Sequence, residues 1–244
     1  MLLLDPLALL VIAHRGASGE YPENTVLAFN QALRMGADAL ELDVRASADN
    51  VPVVIHDPTV ERTTDGSGLV KQKQLAELKE LDAGRGETVP TLNEVLELFP
   101  DTPLIIEIKD VAAAAVVRAT LKRHKAVGRV LVGSFESRVT RQFQAGGFSR
   151  CANRRQTALF WVFSRAGLTY HISADAFCIP EHHGSTTVVD EKFMSSVGRV
   201  AIPVHVWTVD SVATAHSLWE MGVRGIITNR PDVIRNARDG KCAG

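Results

Sequence analysis

The chain has 244 residues, 45% hydrophobic and 23% charged, and its 27 basic residues against 28 acidic ones leave a formal net charge of −1. That length suits one large α/β barrel or two small domains, and the composition is that of a globular protein able to bury a core. The charge balance lacks the cationic bias of a nucleic-acid binder or a polybasic membrane surface, so neither class of partner is expected.

The opening segment MLLLDPLALLVIAHRG is apolar enough to suggest a signal peptide. However, no Lys or Arg precedes the apolar run, Asp5-Pro6 interrupts it, and it leads straight into His14-Arg15-Gly16, which carries chemistry. No later stretch reaches 18 apolar residues, so a membrane span is not expected and a cytoplasmic location is. Runs 10–13, 39–44, 53–55, 104–108, 130–133, 158–162, 176–179, 204–209 and 225–228 read as strands. Helical patterns cover 25–36, 92–99, 112–124, 137–145, 191–197 and 211–221. Strands alternating with helices imply a parallel sheet covered on its outer face, and this many repeats favour a TIM-type (β/α)8 barrel, with residues 1–244 as one domain. The link from 44 to 53, holding Asp49-Asn50 and Pro52, is too short for a parallel crossover. A hairpin-like β insertion is therefore expected near residues 44–57, turning at 49–50, with residue 43 opposite 56 and residue 41 opposite 58. Residues 57–103 hold a turn cluster at 63–68 and a short helix at 75–81, and are expected as a small insertion beside the barrel mouth. Cys151, Cys178 and Cys242 are odd in number and widely spaced, which predicts reduced thiols.

Glu41 and Asp43 stand two apart on a predicted strand, so both carboxylates project to one face. Placing two like charges together is costly unless a cation neutralises them. Glu107 and Lys109 share a face of another aliphatic strand, a pattern that a simple Glu107–Lys109 ion pair also explains. Three strand carboxylates without cysteine point to one hard divalent cation, Mg²⁺, Ca²⁺ or Mn²⁺, rather than structural zinc. His14 ends the first strand and His56 another, where a barrel places catalytic groups, and two histidines can divide general base and general acid work. Arg15 offers a fork suited to phosphate oxygens, and Gly16 permits close backbone approach.

These residues resemble the glycerophosphodiester phosphodiesterase family. The matching motifs run in the family's order: His14-Arg15-Gly16, Pro22-Glu23-Asn24-Thr25, Glu41-Leu42-Asp43-Val44 and Pro52-Val53-Val54-Ile55-His56-Asp57. They continue through Arg62-Thr63-Thr64, Pro90-Thr91-Leu92, Ile106-Glu107-Ile108-Lys109, Gly133-Ser134-Phe135, Val206-Trp207-Thr208-Val209 and Gly225-Ile226-Ile227-Thr228-Asn229-Arg230-Pro231. The resemblance spans about residues 11–234. It implies a barrel, a divalent cation held by Glu41, Asp43 and Glu107, catalytic histidines at His14 and His56, phosphate contacts from Arg15 and Lys109, and a mouth-lining aromatic at Trp207. It also implies hydrolysis of deacylated phospholipids to glycerol 3-phosphate and an alcohol. The chain departs from the family pattern at Asn50, Asp210 and Asn229, and residues 151–169 match it poorly. In that stretch core packing is favoured over pocket lining for Phe160, Trp161 and Phe163; further on, a solvated loop is favoured over a second metal site for His182-His183.

The predicted function is metal-dependent hydrolysis of a small glycerophosphodiester, with the order in which His14 and His56 act left open. The nucleophile is water or the substrate's own glycerol hydroxyl. The alternatives are a lysophospholipase D-type activity on lipid phosphodiesters, which a wide apolar groove near Trp207 would favour, and a catalytically silent barrel used as a binding module. Oligomeric state is not readable from the sequence.

Overall fold

The computed structural model describes residues 1–240, so Cys242 lies outside the described residues. Eight parallel strands form the expected TIM-type barrel: β1 (Leu10–His14), β2 (Ala39–Ala46), β4 (Leu104–Ile108), β5 (Val130–Gly133), β6 (Ser149–Arg150), β7 (Phe177–Pro180), β10 (Val204–Trp207) and β11 (Gly225–Thr228). Chain order is ring order, with β11 returning to pair with β1. The thinnest seam lies between β6 and β7, where one bridge from Cys151 to Ala176 carries the contact, flanked by Ala152 N–H to Ala176 O at 2.8 Å.

Helices α1 (Val26–Arg34), α2 (Leu75–Lys79), α3 (Leu92–Leu98), α4 (Val111–Arg123), α5 (Ser137–Gln142), α6 (Arg154–Arg165), α7 (Glu191–Val200), α8 (Val212–Glu220) and α9 (Pro231–Arg238) complete the repeats. Several start where a side chain caps the first turn: Thr25, Asp110, Asn153, Asp190 and Ser211 each accept a backbone N–H three residues on. Among the described residues no helix is long and apolar enough to cross a membrane.

One expected strand is a helix. Residues 158–162 lie inside α6, because Asn153 and Gln156 form a reciprocal cap and the apolar run turns Phe160 inward (2% exposed) while Val162 faces out (56%). The sixth strand is instead Ser149–Arg150, too short and too polar to read as one. The hairpin is also present, with β3 (Pro52–Val54) antiparallel to β2, but its register is one residue from that expected. Val44 faces Val54, and Ile55 N–H donates to Asp43 O at 3.0 Å. The reversal is centred on Asp49 rather than between 49 and 50: Ser47 N–H bonds Val51 O, and Asn50 takes the left-handed conformation (φ 59°).

Leu10, Ile12, Ala39, Ile105, Leu131 and Ile227 fill the barrel interior, with Leu3 of an N-terminal 3-10 turn beneath them. His205 Nε2–H donates to Leu3 O (2.9 Å) and ties that plug to β10. Larger apolar clusters lie between strands and helices, and α3 belongs to this outer layer through Leu92, Val95 and Leu96. Val60, Val70, Leu78 and Val89 of the segment after β3 form a satellite cluster with Val53 and Ile55. A two-stranded ribbon of β8 (His182–His183) and β9 (Thr186–Thr187) stands exposed after β7.

Candidate active site

Strand periodicity assembles the acidic centre. Leu40, Leu42 and Val44 of β2 and Leu104, Ile106 and Ile108 of β4 are buried in the outer layer, so the alternating residues Glu41, Asp43, Glu107 and Lys109 face inward. Register then aligns them across strands: His14 pairs with Glu41, and Asp43 with Glu107. One oxygen from each of Glu41, Asp43 and Glu107 lies within 4.8 Å of the others.

Two cations offset part of this charge. Lys109 Nζ lies 2.8 Å from Asp43 Oδ1 and 2.7 Å from Glu107 Oε1, and Arg15 Nε lies 3.0 Å from Asp43 Oδ2. Asn24 Nδ2 donates to Asp43 Oδ2 (3.1 Å). Burial would raise the Asp43 pKa, but Lys109 and Arg15 outweigh it and hold the carboxyl below its ordinary range. Burial likewise works against charge on Lys109, and the Asp43 and Glu107 carboxylates more than reverse it. Glu41 differs. Among the described residues its one ion-pair contact is His14 Nε2 at 4.0 Å, and burial together with repulsion from Asp43 and Glu107 raises its pKa well above the usual range. A buried carboxylate without a cationic partner, converging with two others, is a donor set that a hard divalent cation fits.

His14 Nδ1 lies 2.7 Å from Asn229 Oδ1. Burial and the neighbouring Arg15 charge lower the His14 pKa below 6.5. His56 Nδ1 lies 2.6 Å from Asp57 Oδ1. Arg62 Nε donates to Asp57 Oδ2 (2.6 Å), and this bond, with that to His56, depresses the Asp57 pKa despite partial burial. The ionised carboxylate can only accept, which puts the His56 proton on Nδ1. Arg62 also grips Glu23 through Nη1 and Nη2 (2.7 and 2.8 Å), and Glu23 in turn accepts from Arg15 Nη1 (2.9 Å). Gly16 is required for packing: a Cβ there would lie 2.6 Å from the Ala28 backbone, so the close approach it permits is that of α1.

A cavity of about 620 Å³ opens above this floor. His14, Arg15, Glu41, His56, Glu107, Lys109 and Trp207 all line it, while Asp43, 1% exposed, sits beneath them. Its wall is apolar, with Trp207 edge-on to Phe135 (6.2 Å between centroids) and α6 contributing Ala158, Trp161 and Val162. The three aromatics of α6 thus divide: Phe160 packs against Phe177 and Phe193 in the core, Phe163 against Tyr170, and Trp161 lines the cavity under the Arg165 guanidinium. His182 and His183 are exposed, and His183 reaches the cavity rim.

Glu23, Asn24, Asp57, Arg62, Asp210 and Asn229 receive no role from sequence reading, yet all bond to the central groups or to each other. Most sit inside the motifs already quoted. The two late departures from the family pattern, Asp210 and Asn229, are in contact with one another.

The model of the glycerophosphoryl diester phosphodiesterase family matches residues 14–233. A glycerophosphodiester phosphodiesterase of Caldanaerobacter subterraneus is 33% identical over 243 residues, covering 93% of this chain and 96% of the relative. Another, from Bacillus subtilis, is 32% identical over 275 residues, covering 98% and 89%. A crystal structure of glycerophosphodiester phosphodiesterase from Agrobacterium tumefaciens superposes with a TM-score of 0.79 at 29% identity, over 93% of this chain and 98% of that one. An Oleispira antarctica phosphodiesterase, solved in complex with the product sn-glycerol-3-phosphate, gives 0.83 at 27% identity over 97% and 99%.

Proposed function

This chain belongs to the glycerophosphoryl diester phosphodiesterase family of hydrolases, and on that premise we propose that it cleaves small glycerophosphodiesters to glycerol 3-phosphate and an alcohol in the cavity floored by His14 and Glu41. The observation that carries this reading is the convergence of Glu41, Asp43 and Glu107 oxygens within 4.8 Å beside the His14 ring. The product bound to the Oleispira relative supports a glycerol-headed substrate.

Glu41, Asp43 and Glu107 would hold one divalent cation, with Mg²⁺, Ca²⁺ and Mn²⁺ all suited to an all-oxygen set. When bound, the cation supplies positive charge where the phosphoryl oxygens gain negative charge in the transition state. Arg15 and Lys109, on the same cavity floor, add to it. His14, kept neutral by burial and by Arg15, accepts the proton of the nucleophile, either water or a substrate hydroxyl. His56 donates as the imidazolium: Asp57 holds its Nδ1–H, and the second proton, on Nε2, passes to the leaving alkoxide. Trp207 and Phe135, packed edge-on against each other, give the substrate an apolar wall at the mouth. The cytoplasm is the compartment we assign.

Turnover of glycerophosphocholine, with and without EDTA, tests the reading. Chelation is expected to abolish activity and added Mg²⁺ or Ca²⁺ to restore it, and His14→Ala or His56→Ala to reduce kcat by about 100-fold or more. Undiminished turnover in EDTA refutes the carboxylate assignment, and full activity in either alanine variant refutes the proton-transfer scheme.

The apolar wall favours a second reading, a lysophospholipase D-type activity, because Phe135, Trp161, Val162 and Trp207 offer a hydrocarbon chain more surface than a glycerol head group requires. Comparing kcat/KM for lysophosphatidylcholine and glycerophosphocholine separates the two.

A further inference from the structure

Three loops that follow neighbouring barrel strands meet behind His14: β1 ends on that residue, Asn229 follows β11, and Asp210 lies just beyond β10. Asp210 receives three donors. Its Oδ1 accepts from Thr228 Oγ1–H and from the Asn229 backbone N–H, both at 2.8 Å, and its Oδ2 accepts from Asn229 Nδ2, also at 2.8 Å. Thr228 is fully buried and its Oγ1 accepts from Arg230 N–H (3.0 Å), so the carboxylate is anchored to the barrel rim.

An amide has one donating and one accepting end, and a carboxylate only accepts. Asn229 must therefore turn Nδ2 toward Asp210, which leaves Oδ1 facing His14 Nδ1 at 2.7 Å and Ser18 Oγ at 2.8 Å. A carbonyl oxygen cannot donate, so the imidazole carries its proton on Nδ1 and its lone pair on Nε2. Nε2 is the nitrogen that faces the Glu41 carboxylate, 4.0 Å away. Turning the amide over would press its oxygen against the Asp210 carboxylate, acceptor to acceptor. Neither Asp210 nor Asn229 lines the cavity.

We propose that Asp210 and Asn229 are positioning residues for His14: the carboxylate orients the amide, and the amide fixes the ring plane and keeps the Nε2 lone pair aimed at the reacting centre. The inference rests on His14 as the proton acceptor of the reading above. It makes the geometry symmetric in one respect. The two bonds on Asp210 Oδ1 need only an acceptor, and the bond from Oδ2 to Asn229 Nδ2 needs one donor and one acceptor in either sense. A carboxylate at 229 with an amide at 210 therefore preserves every bond, including acceptance from His14 Nδ1.

The test is kinetic and spectroscopic. Long-range ¹H–¹⁵N NMR of the whole protein above pH 8 is expected to show His14 with Nδ1 protonated and Nε2 bare, and a proton on Nε2 overturns the proposal without any variant. In Asp210→Asn the Asn229 backbone N–H still demands an oxygen at Oδ1, so the new Nδ2 faces the Asn229 side chain, which must turn its oxygen to meet it and its amino group toward His14 Nδ1. That variant is expected to shift His14 to the tautomer with its proton on Nε2 and to lower kcat about tenfold to 100-fold, with KM within about twofold and Tm nearly unchanged. The double exchange D210N/N229D is expected to return the Nδ1–H tautomer and bring kcat to within about threefold of wild type. An Asp210→Asn variant with one Nδ1–H tautomer and full kcat, or a double exchange no better than the single change, overturns it. Should Asp210→Asn fail to fold, the wild-type spectrum and the double exchange still decide. Full activity in His14→Ala would instead defeat the underlying proton-transfer reading and leave the tautomer intact.

Discussion

Glu41 is where the candidate site costs the fold most. Its pKa is raised by burial and by two carboxylate neighbours, so its ionised form destabilises the protein, and increasingly so as pH rises through the folded-state value. Glu41→Gln removes that charge at constant shape. In EDTA at pH 8 the variant is expected to melt a few degrees above wild type, since each kcal/mol shifts Tm by about 2–4 °C in a domain of this size. It should also lose the rise in Tm that divalent cation gives the wild type, and about 100-fold or more in turnover. An unchanged cation-induced shift in the variant would show that Glu41 is not a ligand. The His14 environment predicts the pH profile. Burial and Arg15 favour the neutral ring, so kcat/KM should hold as pH falls to 6.5 and decline only below it, and an acidic limb above pH 7 would contradict the role. At this scale the carboxylates were legible because period-two alternation makes Glu41 and Asp43 neighbours in space. Asn24, Asp57, Asp210 and Asn229 were not, because their partners are set by loop conformations, and a polar loop residue looks alike with or without one.

Among the elements, long apolar strands and capped helices announced themselves, and short or polar ones did not. β6 consists of Ser149 and Arg150 and carries no hydrophobic signature. In α6 the bulky run ALFWVF resembles a strand until the Asn153–Gln156 cap is given weight. The hairpin was legible from its length, while its register turned on the left-handed Asn50, which moved the reversal by half a residue. Gly225 is an element-scale constraint of the same kind. A Cβ there would lie 2.1 Å from His205 Nδ1 and 2.8 Å from Ile12 Cδ1, at the start of β11. Gly225→Ala is expected to lower unfolding free energy by about 1–3 kcal/mol in urea titrations, and a neutral result would mean that the His205 ring gives way freely.

For the whole molecule, the barrel floor carries a pH dependence of its own. Burial lowers the His205 pKa to about 4 despite the bond to Leu3 O. Because the unfolded chain takes up this proton near pH 6.5 and the folded one only near 4, stability rises with pH across that window, and lowering the pH from 6.5 to 4 should cost about 3 kcal/mol. His205→Gln is expected to flatten that slope in urea titrations at a series of pH values, and an unaltered slope would assign the loss to other groups. Barrel closure itself was legible from the repeat count. The plug was not, since a short Leu-rich segment carries no periodicity that would place Leu3 beneath the barrel interior.

β1 and β11, the first and last of the described strands, pair with each other, and two further bonds join distant segments: His205 to Leu3 across 202 residues and His14 to Asn229 across 215. Synthesis runs in one direction, so β1 must wait unpaired on one edge until β11 has left the ribosome. A nascent chain that ends before Asn229 lacks the side chain that bonds His14 Nδ1. The closed barrel and the candidate site therefore form in the same late event, and a stalled or clipped product is expected to be inert rather than partly active.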